Sequence, residues 1–394
     1  MSTPRSVASR RLSALAVVLC AIAATVAAGT AWNWSPVDNR AVSLVIIGDI
    51  DIQRRADPTT AFVHLRDTLR AADAVYANLE GVLVKSQGPD VDLPDKRGWR
   101  HPGPEGVVAL KSANITAVGV ANNVAYGRDN IMRTIRLLDA NGIAHTGGGA
   151  NLDAAHEAAI VERKGVRIGF LQYTARWYRD DEQLATPTAA GVAKIASRDG
   201  ITIDPSDLDR VRADIRRLRP RVDIVVVSHH NRDGATATQF PDAPRTASGQ
   251  RRDGHLSEEY QKQFAHVALD TGADLVYGHG THTVQGVEVY KGKPILYAIG
   301  HSAFDQPGYE NSKDGLVVRA VIDGRKLQRV SFVPVTRDAN NDVLMLDPSS
   351  GEGAKLVDVV RGVSNGAPLR IDGHEVVLVA APVATSHDAR RDRD

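Results

Sequence analysis

The chain has 394 residues, of which 43% are hydrophobic and 24% are charged, so it is long enough for one large globular domain or two smaller ones. Its 48 basic and 47 acidic residues give a net charge of +1, which excludes the strongly basic field expected of a nucleic-acid-binding protein. The only cysteine, Cys20, lies in an apolar N-terminal run, so the folded part has neither a disulfide nor a thiolate metal site. Any metal must be held by His, Asp, Glu, Asn or backbone oxygen.

The N-terminal 35 residues have the pattern of an export segment. Arg10 and Arg11 end a basic leader, and residues 12–28 form an apolar run that is followed by small residues. This order is typical of a signal peptide. The run is also just long enough to span a bilayer, so an uncleaved membrane anchor is the competing interpretation. In both cases the positive leader predicts that the rest of the chain lies outside the cytoplasm.

From residue 42 onward, short β-branched runs alternate with amphipathic helical patterns. This alternation predicts βαβ units and a mostly parallel sheet covered by helices. The predicted strands are 42–48, 74–77, 115–120, 167–173, 222–228 and 274–278, and the predicted helices are 59–72, 105–113, 129–141, 207–219 and 258–271.

After residue 278 the pattern changes to strands joined by short turns. Segments 283–290, 294–299, 315–322 and 327–335 predict an antiparallel meander, and a helix near 352–361 and a hairpin near 369–379 follow. We therefore expect an α/β fold with two packed sheets and helices outside. The expected domain covers residues 36–336, with an extension of the same domain at 337–384, a long loop at 231–256 and a disordered tail at 385–394.

Polar side chains follow the ends of five predicted strands, where ligands bind in an open α/β sheet. Carboxylate and amide oxygens suit Mg²⁺ or Mn²⁺, and imidazole shifts the preference toward Mn²⁺, Fe²⁺ or Zn²⁺. The pattern predicts a divalent metal site, with two ions if a carboxylate bridges them; Asp49 is the first candidate for that bridge and Glu80 the second. The strand-end residues are Asp49, Asp51, Asn78, Glu80, Asn122, Asn123, His229, His230, His279 and His282.

Structural interpretations compete at several of these positions. Asp49 follows a glycine and can simply start a turn. Asn122 and Asn123 can cap the helix that follows them. Of the neighbours His229 and His230, we expect one to face the cleft, while the other packs in the core.

Seven short motifs follow one another along the chain: Gly48-Asp49, Asn78-Leu79-Glu80, Ala121-Asn122-Asn123, Thr146-Gly147-Gly148-Gly149, Ser228-His229-His230, Gly278-His279-Gly280-Thr281-His282 and Gly300-His301. With these motifs in this order, the chain resembles the capsule-synthesis CapA family, also called the poly-γ-glutamate synthesis PgsA type, from about residue 42 to 335. The resemblance implies a fold like that of the calcineurin-like metallophosphatases, in which two β-sheets lie between helices. It also implies a bacterial cell-surface protein linked to making or exporting poly-γ-glutamate or capsule polymer.

The resemblance implies that Asp49, Glu80, His229, His279 and His282 stand at metal or substrate contacts, and that Asn78 and Asn123 lie in the same cleft. Together with the strand-end positions it gives the following candidates. His229 and His279 are the candidate catalytic groups, and the candidate metal ligands are Asp49, Glu80, His229, His279 and His282. The candidate substrate-binding residues are Asp51, Asn78, Asn122, Asn123, His230 and His301.

Two departures from the family pattern bear on catalysis. Val124 stands where the family commonly has a histidine after the double asparagine, and valine neither binds a metal nor transfers a proton. His301 stands where an asparagine is usual and can return one imidazole to the cleft.

Three functions follow. The first is a metal-dependent hydrolase or transferase acting on a phosphate ester or an anionic polymer. The second is a non-catalytic subunit of a membrane polymer-synthesis complex that uses the cleft for binding only. The third, a secreted nucleotidase, lacks a recognisable base-stacking motif.

Overall fold

The computed structural model describes residues 32, 34–53, 55–84, 103–197, 201–231, 257–305, 313–364 and 366–380. The predicted export segment at 12–28, nearly all of the predicted loop at 231–256 and the predicted tail at 385–394 lie outside the described residues. Within the described ranges, no helix is long and apolar enough to cross a membrane.

The described residues form eighteen strands and eight α-helices. The strands are β1 (Val42–Asp51), β2 (Ala74–Leu79), β3 (Ala117–Gly119), β4 (Ala144–Thr146), β5 (Gly148–Gly149), β6 (Ala159–Arg163), β7 (Val166–Thr174), β8 (Gly191–Val192), β9 (Ile224–His230), β10 (Leu275–His279), β11 (Val287–Tyr290), β12 (Lys293–Leu296), β13 (His301–Phe304), β14 (Gly315–Asp323), β15 (Lys326–Arg337), β16 (Val343–Met345), β17 (Arg370–Asp372) and β18 (Glu375–Ala380). The helices are α1 (Arg66–Arg70), α2 (Gly106–Ser112), α3 (Arg128–Ala140), α4 (Leu152–Ala155), α5 (Asp180–Gln183), α6 (Pro205–Leu218), α7 (Glu259–Thr271) and α8 (Gly351–Val363).

Two large sheets contain sixteen of these strands. The first sheet has the order β17-β18-β15-β14-β1-β2-β3-β4, with β13 also paired to β1 and β16 to β15. The second has the order β11-β12-β10-β9-β7-β6. In the first sheet β13, β1, β2, β3 and β4 are parallel, and in the second β7, β9, β10 and β12 are parallel. The carboxyl ends of these parallel strands carry most of the polar residues predicted from the sequence, whereas His301 is the first residue of β13.

Alternation along the strands divides the core into layers. Even-numbered residues of β1, such as Leu44 and Ile46, join residues of the second sheet, such as Phe170 and Val226, in one apolar cluster. Odd-numbered residues such as Val45 pack instead with α1 and α2, while the other face of the second sheet packs with α6 and α7. The two sheets therefore lie face to face with helices outside, as expected for an α/β sandwich.

Helix α6 shows how the sequence fixes an outer layer. Asp204 precedes it and accepts a hydrogen bond from the Ser206 N–H at 2.9 Å, and Pro205 occupies the first helical position, where its missing N–H costs nothing. Its buried apolar residues recur at helical spacing and face the second sheet. They are Leu208, Val211, Ile215 and Leu218.

Two predicted elements differ from the structure. The predicted helix 59–72 is a 3₁₀ turn, Pro58–Phe62, followed by the short α1, because Thr59, Thr60 and Val63 are β-branched and favour helix weakly. The predicted meander is two hairpins in different sheets: β11–β12 extends the second sheet and β14–β15 the first. Apolar alternation identifies an extended segment without indicating which sheet it joins.

Candidate metal centre

Asp49 faces the space between the sheets because β1 is irregular at Gly48. The pairing of β1 with β2 shifts between Ile47 and Asp49, which is the signature of a β-bulge. Before the bulge, the odd-numbered residues of β1 face the helices, whereas after it the even-numbered Ile50 does. The bulge therefore reverses the alternation, and Asp49 faces the space between the sheets. A Cβ atom at position 48 would lie 2.0 Å from the carbonyl oxygen of Gly300, so only glycine fits there. The bulge and its glycine therefore position the central carboxylate.

The Asp49 carboxylate is completely buried and held from several sides. Its Oδ1 accepts a hydrogen bond from Asn78 Nδ2 at 2.8 Å, and its Oδ2 accepts one from the Gly280 N–H at 2.9 Å. Burial alone would raise the pKa of Asp49, but the hydrogen bond and charge of His279, with the charges of His230 and His301, hold that pKa well below its ordinary value. The carboxylate is therefore ionised and available as a ligand.

A first group of three metal-type ligands consists of Asp49, His230 and His279. One ligand atom from each lies within 4.8 Å of the others, and all three side chains are buried. His279 Nδ1 is 3.1 Å from Asp49 Oδ1 and 3.1 Å from His230 Nδ1. A Cβ on Gly280 would lie 2.7 Å from the His230 ring, so the glycine leaves room for that imidazole.

A second group shares Asp49 and adds His282 and His301. The His282 Nδ1 and His301 Nε2 atoms are 2.5 Å apart, and both rings are buried. His282 has a φ of +59°, a left-handed conformation that is uncommon for a residue other than glycine and that recurs at functional sites. His301 was predicted to bind substrate; the structure brings it into a metal-type group.

His229 is the clearest difference from the predicted site. It was assigned both metal and catalytic roles, but its ring lies 4.7 Å from that of Phe264 on α7, on the helix side of the second sheet. Neither ring nitrogen makes a hydrogen bond of normal geometry to the described residues, and burial lowers its pKa to about 3. Successive side chains of a strand point to opposite faces, so His230 enters the cleft and His229 does not.

Asn78 connects the Asp49 carboxylate to deeper buried residues. Its Oδ1 accepts hydrogen bonds from Gln172 Nε2 at 2.8 Å and from Asn122 Nδ2 at 3.2 Å. Gln172, on β7 of the second sheet, in turn accepts from the Tyr76 hydroxyl at 3.1 Å. Gln172 was not predicted from the sequence, although it is two residues after the inward-facing Phe170 on β7 and therefore shares its face.

The remaining predicted residues lie near the cleft but belong to neither three-residue group of metal-type ligands. Glu80 is buried with Oε1 4.0 Å from His230 Nε2, beside the first group and not within either three-residue set. Asp51 is buried and accepts from Gln53 Nε2 at 3.1 and 3.2 Å. Asn122 Oδ1 accepts from the Ala125 N–H and stabilises a turn before α3, and Asn123 Nδ2 donates to the Tyr178 hydroxyl at 3.1 Å.

Val124 provides no acid or base to the site. It is completely buried in a small apolar cluster with Tyr126 and Tyr178. The position where the family commonly has histidine is therefore a packing position in this chain.

A cavity of about 740 Å³ opens beside the second group. Phe304, which stacks on His301 at 4.0 Å, and Gln53, which contacts Asp51, both line it. Arg55 also lines the cavity, and its Nε atom lies 2.7 Å from Asp305 Oδ2 in an ion pair. The charged lining residues among those described are three cations, Arg55, Lys313 and Arg337, and four carboxylates, Asp57, Asp305, Asp338 and Asp342.

A family comparison covers the segment that contains these residues. Residues 43–306 match the family model described as bacterial capsule synthesis protein PGA_cap. The chain belongs to this family. The matched segment of this family member contains both three-residue groups, from Asp49 to His301.

The relatives of this family member are distant in sequence. This family member is 25% identical over 304 residues to the PGA biosynthesis protein CapA of Bacillus subtilis, covering 75% of this chain and 71% of the relative. It is 25% identical over 339 residues to the capsule biosynthesis protein CapA of Bacillus anthracis, covering 80% and 75%. Against an uncharacterized protein of Sinorhizobium fredii it is 24% identical over 308 residues, and the match spans 67% of this chain and 66% of that relative.

A solved structure of a novel phosphatase from Mycoplasma pneumoniae is also similar. It matches with 11% identity and a TM-score of 0.44, covering 76% of this chain and 96% of the phosphatase.

Proposed function

We propose that this protein binds divalent metal in the Asp49-centred cleft and uses it in capsule or poly-γ-glutamate synthesis, acting on a phosphate ester or an anionic polymer. The observation that carries the proposal is the buried Asp49 carboxylate, whose ligand atom lies within 4.8 Å of ligand nitrogens from two separate pairs of histidines. The names of the two Bacillus relatives, both assigned to polymer synthesis, support the biological setting.

The donor set fits a divalent ion. Imidazole nitrogen and carboxylate oxygen bind Mn²⁺, Fe²⁺ and Zn²⁺ well, and the carboxylate also suits Mg²⁺. When bound, one or two such ions polarise a phosphoryl or carbonyl oxygen and lower the pKa of water. The protein's own part is orientation: Asn78 and the Gly280 N–H fix Asp49, and the second sheet presents His230 and His279. The two-sheet sandwich supports a metallophosphatase-like assignment.

Charge explains why metal is needed for an anionic substrate. The cleft side chains include the carboxylates of Asp49, Asp51 and Glu80, which repel an anion in a low-dielectric site. The adjoining cavity adds no excess of positive charge, since its described cations are outnumbered by carboxylates. A phosphate or polyglutamate segment is therefore attracted only after divalent ions have reversed the local charge.

A non-catalytic accessory role is the second candidate. The specific observation that favours it is Val124, which is packed between tyrosines where an acid–base histidine is usual. In this case the cleft holds polymer for a membrane synthase complex and does not cleave it. Under both candidates we propose an exported protein: the basic leader and apolar run predict that the folded domain works on the outer face of the cell membrane or at the cell surface. Protease treatment of intact cells tests this location, and protection of the domain would contradict it.

One experiment separates the two candidates. Purified full-chain protein is given Mn²⁺, Zn²⁺ or Mg²⁺ and tested for cleavage of a generic aryl phosphate ester and of poly-γ-glutamate, and separately for polymer binding. Metal-dependent cleavage that Asp49→Asn abolishes supports the hydrolase. Metal-dependent polymer binding without cleavage supports the accessory role. The matched control, Asp358→Asn, changes an exposed aspartate on α8 and should behave as the wild type. Metal-independent results in all assays would contradict both candidates.

A further inference from the structure

The cavity of about 740 Å³ continues the cleft at the carboxyl ends of β1 and β13. Gln53 and Arg55 follow β1, Phe304 ends β13, and the loop 338–342 between β15 and β16 supplies further lining residues. The Phe304 ring stacks on His301, so the cavity adjoins the cleft directly. Its volume lies within the range of pockets that hold whole small molecules. A group attached to a phosphate in the cleft can therefore occupy it.

Arg55 has no donor left for a ligand in this cavity. Its Nε and Nη2 atoms donate to the two carboxylate oxygens of Asp305 at 2.7 and 2.8 Å. Nη1 donates to Asp342 Oδ1 at 2.6 Å and to Thr60 Oγ1 at 3.3 Å, and Nη2 also donates to the Asn341 carbonyl at 2.8 Å. A guanidinium has five N–H groups, so all of them are engaged. This arginine therefore builds the cavity wall and does not capture an anion.

The other two cations of the lining differ in what they offer. Arg337 is buried, and its Nη1 donates to the carbonyl of Phe304 and, at 2.8 Å, to Asn341 Oδ1. Its guanidinium is therefore also part of the wall. Lys313 is half-buried and has no ion pair among the described residues. It is the lining cation whose charge a ligand can meet.

Two carboxylates of the lining keep an oxygen for a ligand. Asp57 Oδ1 accepts from the Thr59 N–H at 2.9 Å, and Asp338 Oδ1 accepts from two N–H groups of the loop 338–342 at 2.8 and 2.9 Å. Neither Oδ2 atom accepts a hydrogen bond from the described residues; His64 Nε2 lies 3.9 Å from that of Asp338. Each side chain can therefore accept from a ligand hydroxyl, and each repels a ligand carboxylate.

The uncharged part of the lining adds amide and apolar surface. Asn340 is exposed, and its side-chain amide makes no hydrogen bond to the described residues, so it offers both donors and an acceptor. Ala56 and Ala339 are exposed and present small apolar surfaces. A hydroxyl both donates and accepts, so a ligand with several hydroxyls matches the amide, the carboxylate oxygens and the Lys313 ammonium. A sugar ring combines such hydroxyls with C–H groups that fit against the alanines.

We propose that this cavity binds an uncharged sugar unit, and that the phosphate ester held at the metal cleft is carried by that sugar. The inference rests on the proposed function and narrows its substrate from a phosphate ester or an anionic polymer to a sugar phosphate. A polyglutamate segment has a carboxylate on each residue and would bring like charge against Asp57 and Asp338.

The first arm of the test measures sugar binding without metal. Full-chain protein is stripped with a chelator and titrated with glucose, galactose, N-acetylglucosamine and cellobiose, with binding followed by ligand-observed NMR and calorimetry. At least one of these sugars should bind with an affinity that salt does not change, because contacts to a neutral ligand are not screened. Ala339→Trp should weaken binding roughly tenfold or more by filling the cavity, and Asn340→Leu should weaken it severalfold by removing the amide.

Control variants make this result specific. Ala140→Trp adds the same side chain at an exposed alanine on α3, outside the cavity, and should bind sugar like the wild type. Ala56→Trp fills the cavity from the other exposed alanine if Ala339→Trp is poorly folded, and thermal unfolding checks each protein. Lys313→Gln keeps a donor and should leave the sugar affinity within about twofold.

The second arm connects the cavity to the cleft. With Mn²⁺ present, glucose 1-phosphate or N-acetylglucosamine 1-phosphate should bind roughly tenfold or more tightly than the parent sugar, because the ion attracts the phosphate. Asp49→Asn should remove this gain and keep the affinity for the neutral sugar. Poly-γ-glutamate is titrated in parallel, and we expect it not to displace the sugar.

The outcomes separate this inference from the proposed function. No binding of any of these sugars, or sugar binding unchanged in the folded Ala339→Trp and Ala56→Trp variants, would overturn the inference while metal binding at Asp49 stands. Salt-sensitive poly-γ-glutamate binding that Lys313→Gln and Ala339→Trp abolish would overturn it in favour of the anionic polymer. Sugar binding by a protein that binds no metal would overturn the proposed function, and with it the claim that the sugar carries a phosphate into the cleft.

Discussion

Oδ1 of Asp49, at the end of β1 in the first sheet, lies 3.1 Å from Nδ1 of His279, at the end of β10 in the second sheet. Neither sheet contains the site alone. The apolar cluster between the sheets fixes their spacing, so core packing determines whether the carboxylate and the imidazoles meet. The site is a property of the whole sandwich, and its residues are best tested in the intact chain.

The neighbours His229 and His230 should respond differently to mutation. His230→Gln should weaken metal binding at least tenfold, because His230 belongs to the first ligand group. His229→Leu should leave metal affinity unchanged and alter the free energy of unfolding by about 1 kcal/mol, since leucine fills a similar volume against Phe264. Calorimetric metal titration and urea denaturation measure both. Equal losses of bound metal in the two variants would contradict the conclusion that His230 faces the cleft and His229 faces the helices.

Gly280→Ala should damage the first ligand group. The added Cβ would lie 2.7 Å from the His230 ring, and the φ of +87° disfavours alanine, so we expect a loss of roughly 1–3 kcal/mol and weaker metal binding. Gly292→Ala is the matched control, with a φ of +79° and no atom within 4 Å of the added Cβ. It should lose stability only and keep its metal affinity. Thermal melts with and without Zn²⁺ distinguish the two effects.

Much of the site was predictable because parallel strands end at one edge of a sheet. That rule selected Asp49, His230 and His279 from the sequence. Alternation along β9 would also have separated His230 from His229, since Val225 and Val227 share the helix-facing side with His229. His229 was predicted as the metal ligand in place of His230 because the two adjacent histidines are the same residue type, and residue type alone does not distinguish them.

Other features depend on long-range contacts that local patterns do not encode. The inward turn of Asp49 needs a bulge, and the bulge needs the Gly300 backbone to approach Gly48 closely. His301 reaches the cleft because the chain crosses from the β11–β12 hairpin of the second sheet to the first sheet, where β13 pairs with β1. Each feature joins segments that are far apart in the chain, so neither propensity nor periodicity predicts it.

Glu375 should be important for stability rather than for metal binding. It is completely buried on β18, accepts from the Ser35 N–H at 2.8 Å and lies 3.5 Å from Arg319 Nη1. Glu375→Gln leaves the Arg319 charge buried without a carboxylate, which should cost roughly 3 kcal/mol. Asp358→Asn, which removes an exposed partner of Arg361, should cost no more than about 1 kcal/mol. Urea denaturation measures both values, and similar small losses would contradict the role of Glu375.

Bound metal should stabilise the folded protein. A ligand that binds only the folded state adds about 2.7 kcal/mol at a concentration one hundred times its dissociation constant. Adding Zn²⁺ or Mn²⁺ to chelator-treated protein should therefore raise its unfolding temperature by several degrees, and EDTA should reverse the change. Asp49→Asn, which changes the ligand shared by both groups, should show no such rise. A rise of equal size in that variant would place the stabilising ion elsewhere.

The most direct test of the metal centre is the metal content of purified full-chain protein and of Asp49→Ala, measured by elemental analysis after equilibration with Zn²⁺ or Mn²⁺ and removal of free ions. The wild type should retain one to two ions per chain, and Asp49→Ala should retain fewer than a tenth of these while unfolding cooperatively. A folded Asp49→Ala protein with the wild-type metal content would contradict the account.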